Sequence, residues 1–584
     1  MSKNRILLSL VTILCGLILP ARLTAQRNPT NAESKLPPAA PLLSPSICGK
    51  GVFSLWLGEQ SIGREEFEIK CQPEGGYAVS GHTDLKVPGA AIDLNTRLEV
   101  DKSGEPLSST AKGSVGGKPF DQSVVVKGAV ATVTSSGGTK ELPFARGTAL
   151  LGGNVFNMFQ FLLARYDAVK GGTQEFQVFP NLPGRIERVA RDEVQATGIA
   201  ASPAPSAFDR YSITVANSNV IAWVDTKGRV AVLAIPLQNF AAVREEYSIF
   251  VPSFKAILSA RMKETEVDYT APAGAPFTAE EVTVEAKGFT LAGTLLLPKT
   301  GKAPFPAVVT ITGSGQETRD EALPLPGLEK YRPFRQIAEA LASRGIAVLR
   351  VDDRGVGNSR GGDTLLVSTS ANFADDVRAQ VDFLRERRDV DPNRIVLLGH
   401  SEGGMIAPMV AANDPRIAAI VLLAGPGKRG DAIIAYQVNQ GLESDATLTE
   451  EVKAKARAEQ QDAMRKAIDG DPSAPELMRS PWMRYFLAYD PLPTIRKIRQ
   501  PILILQGELD RQVTADQAEI LAKTAREAGN HDVTARVFPG LNHLFLPAKT
   551  GAVSEYSSLT TNTIPDEVMK QLSDWLVERL KAPK

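Results

Sequence analysis

Two hydrophobic patterns divide the chain. From about residue 46 to 260, apolar and polar positions alternate, as in Gly51-Val52-Phe53-Ser54-Leu55-Trp56-Leu57, Phe67-Glu68-Ile69-Lys70-Cys71 and Tyr211-Ser212-Ile213-Thr214-Val215. A period of two turns one face of a strand to a core and the other to water. The denser run Val230-Ala231-Val232-Leu233-Ala234-Ile235 continues the trend, and turn signals such as Pro73-Glu74-Gly75-Gly76 and Asp225-Thr226-Lys227-Gly228 separate the runs. One helical period interrupts, from Val155 to Tyr166, with an apolar face at Val155, Phe159, Leu162 and Tyr166 and Asn154 placed as its N-cap. The expected structure is an antiparallel sheet or open barrel curled around one helix. The region is too short for a seven-bladed propeller.

Beyond residue 277, strand-length apolar runs alternate with helical periods. Strands are expected at Glu281 to Glu285, Thr290 to Leu297, Pro306 to Thr312, Ile346 to Val351, Arg394 to Leu398, Ile417 to Leu423, Pro501 to Leu505 and Asp532 to Phe538. Helices are expected at Phe334 to Ser343, Phe373 to Arg387, Met405 to Ala412, Ala515 to Ala528 and Asp566 to Leu580. This order predicts an α/β fold with a mostly parallel, doubly wound sheet. Residues 427–499 interrupt it and are rich in Ala, Glu, Lys and Gln, which predicts a helical cap insert. Its aromatic stretch, Pro481-Trp482-Met483-Arg484-Tyr485-Phe486-Leu487, reads equally as a pocket lining or as packing of the cap on the sheet. The Pro- and Ala-rich stretch ending at Pro276 is the joint between a β-rich domain, 46–260, and a catalytic domain, 277–584.

The start of the chain carries an address. Lys3 and Arg5 precede an apolar run from Ile6 to Leu19, short for a membrane span and suited to a secretory signal over residues 1–25. A lipidated Cys15 and an uncleaved anchor are the alternatives. Residues 26–45 read as a flexible linker. The expected location is periplasmic or secreted. Export leaves Cys48 and Cys71 as an even pair in an oxidising compartment, which points to a disulfide, with two buried thiols as the alternative. It would close a loop of about 24 residues, worth roughly 3 kcal/mol on the chain-entropy estimate. Neither cysteine sits in a metal-ligand pattern, and no metal or cofactor is expected. Lys and Arg number 66 and so do Asp and Glu, without a dense basic run, which argues against a nucleic-acid partner and against strong electrostatic attachment to a membrane.

Candidate chemistry gathers at the ends of the predicted strands. Gly399-His400-Ser401-Glu402-Gly403 lies between a strand and a helix, the context in which Gly-x-Ser-x-Gly lifts a serine out of a tight turn. Ser401 is the candidate nucleophile. A serine needs a base and a group that orients it. The chain has four histidines. His82 lies in the β-rich region, and His400 points away from Ser401 within its turn. His543 follows a strand, where open α/β sheets place their chemistry, and is the candidate base, with His531 as rival. Asp510 follows the strand at Pro501 to Leu505 and is the candidate acid, with Glu508 as alternative. The backbone N–H groups of Glu402 and of Ser314, in Gly313-Ser314-Gly315, are the candidate oxyanion donors.

On these motifs the region from about residue 278 to 584 resembles the α/β-hydrolase superfamily. Gly313-Ser314-Gly315-Gln316-Glu317-Thr318-Arg319-Asp320 resembles the oxyanion-loop signature of EstD-type bacterial carboxylesterases. Arg354-Gly355-Val356-Gly357-Asn358-Ser359 is similar to a loop common among these hydrolases and serine aminopeptidases. Thr312-Gly313 stands where many relatives carry His-Gly. The resemblance implies a metal-independent serine hydrolase that cleaves carboxylic esters through an acyl-enzyme. An aminopeptidase or acyl-peptidase built on the same residues is the alternative, with Glu443, Asp445, Glu450 and Glu451 as groups that could meet a charged terminus. An envelope lipid-binding protein, its function carried by the β-rich domain, is the alternative from another class. The expected partner is a small ester or peptide substrate, and the oligomeric state is left open.

Overall fold

The computed structural model describes residues 43–581, apart from 58–59, 88–89, 116, 136–137, 153–154, 181, 197–204, 216–217, 236–239, 265–267, 324–327, 329 and 445–447. The expected signal segment, Cys15, most of the linker, Asn154 and Asp445 lie outside the described residues. The chain forms two compact units. The first is built on residues up to Glu266 and takes in Gln440–Ala458; the second comprises Val267–Asn439 and Glu459 onward. The expected cap insert is thus divided between the two units. Among the described residues no helix is long and apolar enough to cross a membrane.

The first unit is one 15-stranded sheet. Its strands are β1 (Gly49–Leu57), β2 (Gln60–Cys71), β3 (Tyr77–Val87), β4 (Ala90–Val100), β5 (Pro106–Val115), β6 (Lys118–Lys127), β7 (Val130–Ser135), β8 (Gly138–Pro143), β9 (Thr148–Ala149), β10 (Thr173–Val178), β11 (Leu182–Val194), β12 (Ser206–Val215), β13 (Ser218–Asp225), β14 (Val230–Ile235) and β15 (Phe240–Arg244). Two meanders run outward from the antiparallel β1–β15 pair and end at β8 and β9. Pro143 and Thr148 are joined by only four residues. A link that short spans at most roughly 18 Å, so the two sheet edges curl toward each other. The inward-facing positions, among them Phe53, Leu55, Leu94, Leu98, Ile186 and Ile213, share one core with Phe156, Met158, Phe161, Leu162 and Leu163.

Those last residues belong to the predicted helix. Regular α-helix covers only Phe159–Leu163 (α1), not the whole of Val155 to Tyr166. Both ends tighten into turns that bond three residues back, as in Phe159 N–H to Phe156 O (3.1 Å) and Tyr166 N–H to Leu163 O (2.9 Å). The entry of the segment rests on Glu65 of β2, which is fully buried. Its carboxylate accepts the backbone N–H groups of Phe156 (3.1 Å) and Asn157 (2.9 Å) and the Asn157 side-chain amide (2.6 Å). These are donors that a helix start leaves without partners. Burial pushes the Glu65 carboxyl up to about 8 against these bonds. A second helix, Val251–Glu264 (α2), packs Phe254, and the tight turn before it packs Phe250, with Phe208, Trp223 and Val243. It lies where the sequence reading places the end of the β-rich domain and the start of the joint. Cys48 and Cys71 are joined in a disulfide with a Cα–Cα distance of 5.8 Å, tying the entry of β1 to the end of β2.

The second unit is an 8-stranded sheet of β16 (Phe277–Ala286), β17 (Phe289–Pro298), β18 (Phe305–Ile311), β19 (Ala347–Val351), β20 (Val390–His400), β21 (Ile417–Leu423), β22 (Ile502–Gly507) and β23 (Val533–Phe538), in the order 16-17-19-18-20-21-22-23. The first two strands pair antiparallel and the last six run parallel. Neighbouring residues point to opposite faces. Val309, Leu349, Leu397, Leu422 and Ile504 enter one core with helices α4 (Ser370–Glu386), α5 (Glu402–Ala411) and α9 (Asp516–Glu527). Val308, Val348, Val396, Val421 and Leu503 enter the other with α3 (Pro333–Ala342) and α10 (Asp566–Arg579). Between β21 and β22 the insert forms α6 (Gly430–Ser444), α7 (Glu450–Asp469) and α8 (Pro481–Ala488).

Two outcomes follow for the first unit. The folded Glu65 holds a proton between pH 4.5 and about 8 that the unfolded chain has released, so stability falls as pH rises through that window. Glu65→Gln removes the dependence, because an amide there can donate to Asn157 Oδ1, which is buried with no partner among the described residues, once the Asn157 amide is turned over. In urea unfolding of the full chain, the wild-type transition of this unit loses more stability between pH 5 and pH 8 than the variant does, and equal losses refute the assignment. For the disulfide, the double variant Cys48→Ala, Cys71→Ala loses roughly 3 kcal/mol in the same experiment.

Candidate active site

The parallel strands end side by side, and the candidate residues follow those ends. Ser401 sits between β20 and α5 with φ 51° and ψ −119°. A non-glycine residue held there stores about 1–3 kcal/mol of strain. Its N–H donates to Leu423 O at the end of β21 (2.9 Å), and its own carbonyl accepts the Gly404 N–H (2.9 Å). Strand and helix meet too closely for side chains. A Cβ at Gly399 would lie 2.0 Å from Gly403 O, and one at Gly403 would lie 2.1 Å from Ile311 O. The turn therefore requires glycine on both sides of the serine, and Ser401 is left half-buried at the head of the sheet.

Asp510 and His543 are brought together. Asp510, on the loop after β22, is 2% exposed, and His543, on the loop after β23, is 4% exposed. His543 Nδ1 lies 2.7 Å from Asp510 Oδ2. The same oxygen accepts Gln506 Nε2 (2.7 Å), while Oδ1 accepts the N–H groups of Gln512 (2.8 Å) and Val513 (2.9 Å). An ionised carboxylate that is fully hydrogen-bonded can remain buried. The close approach of the two loops again depends on a glycine, since a Cβ at Gly507 would lie 2.4 Å from Asn542 O. The rivals lie elsewhere. Glu508 turns outward and accepts the Gly540 N–H at 2.9 Å, and His531 is exposed before β23. His82 pairs with Asp93 in the first unit.

Ser314 and Glu402 also meet, through side chains the sequence reading did not use. The loop after β18 runs against Ser401, for a Cβ at Gly313 would lie 3.4 Å from Ser401 Cβ. Ser314 Oγ donates to Glu402 Oε2 at 2.6 Å. The Glu402 carboxylate, 2% exposed, also accepts Ser370 Oγ (2.6 Å) and Trp482 Nε1 (3.0 Å). Burial holds its pKa above the usual carboxylate range despite these donors. Glu402 is the first residue of α5, so its backbone N–H has no acceptor inside the helix and points with the helix dipole toward the head of the sheet. A signal for the side chain was present in the sequence: Glu402 is the single charged residue in a ten-residue helix that is otherwise apolar or glycine and buried throughout.

A second buried group lies behind the loop. Gly313 N–H donates to Glu317 Oε2 (3.1 Å) and Glu321 Oε1 (2.9 Å), and Thr312 Oγ1 donates to Asp353 Oδ1 (2.8 Å). Burial, the neighbouring carboxylates and a hydrogen bond to Glu321 raise Glu317 well above the carboxylate range. Burial likewise raises Asp353 to about 7. His400 is not idle within its turn: Nδ1 lies 2.8 Å from Glu321 Oε1 and Nε2 lies 3.0 Å from the carbonyl of His543. A carbonyl only accepts, so Nε2 carries a proton. Burial lowers the His400 pKa, and the Glu321 carboxylate, with the His543 carbonyl and Asp510, more than reverses this, for a net rise. Two motif arginines serve as anchors. Arg319, 1% exposed, pairs with Asp352 (2.8 Å), and Arg354 grips Asp376 with two bonds of 2.7 Å. Among the described residues, no group of three or more His, Cys, Asp or Glu could hold a metal ion.

Comparisons with known proteins show what the chain resembles. The profile of the family described as "Serine aminopeptidase, S33" matches residues 327–548, which span Ser401, Asp510 and His543. Esterase EstD of Thermotoga maritima is 30% identical over 318 residues, covering 53% of this chain and 70% of that protein. The solved structure of the Pyrococcus furiosus esterase Pf2001 aligns with 54% of this chain and 96% of its own, at 17% identity and a TM-score of 0.36. A parallel sheet of this order, a serine turn at the end of its central strand and the extent of the match to esterase EstD together make the chain a member of the α/β-hydrolase family.

Proposed function

We propose that the protein is an exported serine hydrolase that cleaves carboxylic esters through a Ser401–His543–Asp510 triad and an acyl-enzyme. The observation that carries the reading is the placement of a strained Ser401 and a buried Asp510–His543 pair on loops at the same end of neighbouring parallel strands. With Nδ1 donating to Asp510, the imidazole presents Nε2 as the base. Ser401 Oγ attacks the ester carbonyl as Nε2 takes its proton, and the carbonyl electrons move onto oxygen. The N–H groups of Ser314 and Glu402 receive that oxyanion. The alcohol leaves with the proton from His543. Water then repeats the sequence, and the acid departs with Ser401 restored.

Ester rather than amide cleavage is favoured by the match to esterase EstD. Two of the acidic cap residues offered for a peptide terminus are committed elsewhere: Glu443 and Glu450 pair with Lys453 at 3.2 and 2.9 Å, and Glu443 also pairs with Arg457. A lipid carrier would need room inside the curled sheet, where Phe156, Phe161, Leu162 and Leu163 pack instead. The Cys48–Cys71 bond and the basic-apolar start of the chain support export.

Purified full chain hydrolyses p-nitrophenyl esters, and Ser401→Ala lowers turnover on the order of 10⁴- to 10⁶-fold. Asp510→Asn lowers it on the order of 10⁴-fold, because the amide cannot hold the required tautomer. Turnover that survives Ser401→Ala refutes the triad. On a parallel panel of aminoacyl anilides, activity stays far below that on esters, and a reversed preference moves the protein to the peptidases.

A further inference from the structure

Among the described residues, no cation lies against the Glu402 carboxylate. The groups it binds are two hydroxyls and an indole N–H, from three separate parts of the second unit: Ser314 on the loop after β18, Ser370 at the first turn of α4, and Trp482 on α8. The two hydroxyl bonds are 2.6 Å long, the range of charge-assisted O–H···O⁻ contacts. Burying such a group unpaired is unfavourable, so its donors are held firmly. Ser314 spends its hydroxyl proton on Glu402, which ties down the loop whose N–H the proposed mechanism assigns to the oxyanion. Trp482 Nε1 contacts both carboxylate oxygens, at 3.0 and 3.2 Å, and the indole stacks on Phe486 at a centroid distance of 5.6 Å. Pro481 opens α8, and Ser480 Oγ caps it by accepting the Met483 N–H at 3.2 Å, so the indole is carried on a fixed helix start.

We propose that the Glu402 side chain is the positioning residue of the oxyanion hole, holding the Ser314 loop and the cap residue Trp482 in one hydrogen-bonded assembly. This rests on the serine-hydrolase reading above. Trp482 then acts on the chemical step through Glu402, and not only as a wall that sorts acyl chains. A wall residue changes KM with chain length. A residue that sets the oxyanion donors changes kcat for every chain length, and also changes reaction with a reagent that has no acyl chain.

The test uses a small alkyl fluorophosphonate, in which the Ser401 Oγ–P bond forms, the P–F bond breaks, fluoride leaves and His543 takes the hydroxyl proton. Labelling rates are measured on the full chain for wild type, Ser401→Ala, Glu402→Gln, Glu402→Ala, Ser314→Ala, Trp482→Phe and the double variant Glu402→Ala, Trp482→Phe, beside kcat and KM on p-nitrophenyl acetate and butyrate. Glu402→Ala lowers labelling and kcat by roughly 10- to 100-fold, with KM nearly unchanged. Trp482→Phe keeps the aromatic bulk and loses the N–H; it and Ser314→Ala each lower both rates by about 3- to 10-fold, equally for both esters. The double variant is no slower than Glu402→Ala alone, since both changes act on one assembly. If Glu402→Ala does not fold, Trp482→Phe and Ser314→Ala carry the test. Rates within twofold of wild type in these variants, effects confined to KM, or additive losses in the double variant overturn the proposal. A wild type that is neither labelled at Ser401 nor active on esters overturns the serine-hydrolase reading itself, an outcome distinct from a labelled wild type with indifferent variants.

Discussion

The constraint on which the second unit depends is the backbone of Ser401. A φ of 51° is unfavourable for any side-chain-bearing residue, and the surrounding structure must over-determine it. It does so from three sides. β21 takes the Ser401 N–H, α5 returns a bond to its carbonyl, and the glycines at 399 and 403 let strand and helix interpenetrate. The sheet order follows from the same requirement. Gly403 packs so close to Ile311 that a Cβ would lie 2.1 Å from its carbonyl oxygen, which requires β18 directly beside β20, and that adjacency delivers the Ser314 loop to the serine.

The site is then stabilised by two different treatments of buried charge. Where a loop must be rigid and takes no part in chemistry, carboxylates meet guanidinium groups, as in Arg319–Asp352 and Arg354–Asp376. These pairs cancel charge and fix geometry in two bonds. Where charge must stay available, carboxylates are solvated by dipoles. Asp510 is held by two backbone N–H groups and the Gln506 amide, which leaves it a full negative charge to place beside the His543 ring. An arginine in place of Gln506 would neutralise the acid and weaken its hold on the imidazolium that forms during turnover.

Much of this was legible in the sequence, because it rests on local rules. Strand, glycine-flanked serine and apolar helix occur in one stretch from Arg394 to Ala412, and each strand–loop boundary that carries Asp510 or His543 is marked by an abrupt loss of apolar residues. What was not legible is long-range. The bonds from Glu402 to Ser314 and Trp482 cross 88 and 80 residues, and no periodicity encodes them. His400 was read only by its direction from Ser401, while its partner Glu321 lies 79 residues earlier on a loop with φ 54° at that residue. In the first unit the alternation announced strands, but the length of α1 was misjudged because Glu65, 91 residues away, holds its entry in a turn. The helix Val251–Glu264 was hidden by a boundary drawn from the strand pattern alone, although Phe250, Phe254 and Ile257 carry a helical spacing.

Glu65 and Glu402 show that one device has different consequences according to its donors. Both are buried carboxylates that gather chain segments with no cation against them among the described residues, and burial raises the pKa of both. Glu65 is bound chiefly by two backbone N–H groups and the Asn157 amide, and only the more distant Thr83 hydroxyl, at 3.4 Å, can turn and accept when Glu65 takes a proton. Two of the three donors on Glu402 are hydroxyls, which can turn and accept. Protonation of Glu402 therefore reverses one hydroxyl bond without breaking the link to the Ser314 loop. The Trp482 N–H is fixed as a donor, and the carbonyl oxygen of the neutral acid still accepts it, so the cap stays tied to Glu402 in both forms.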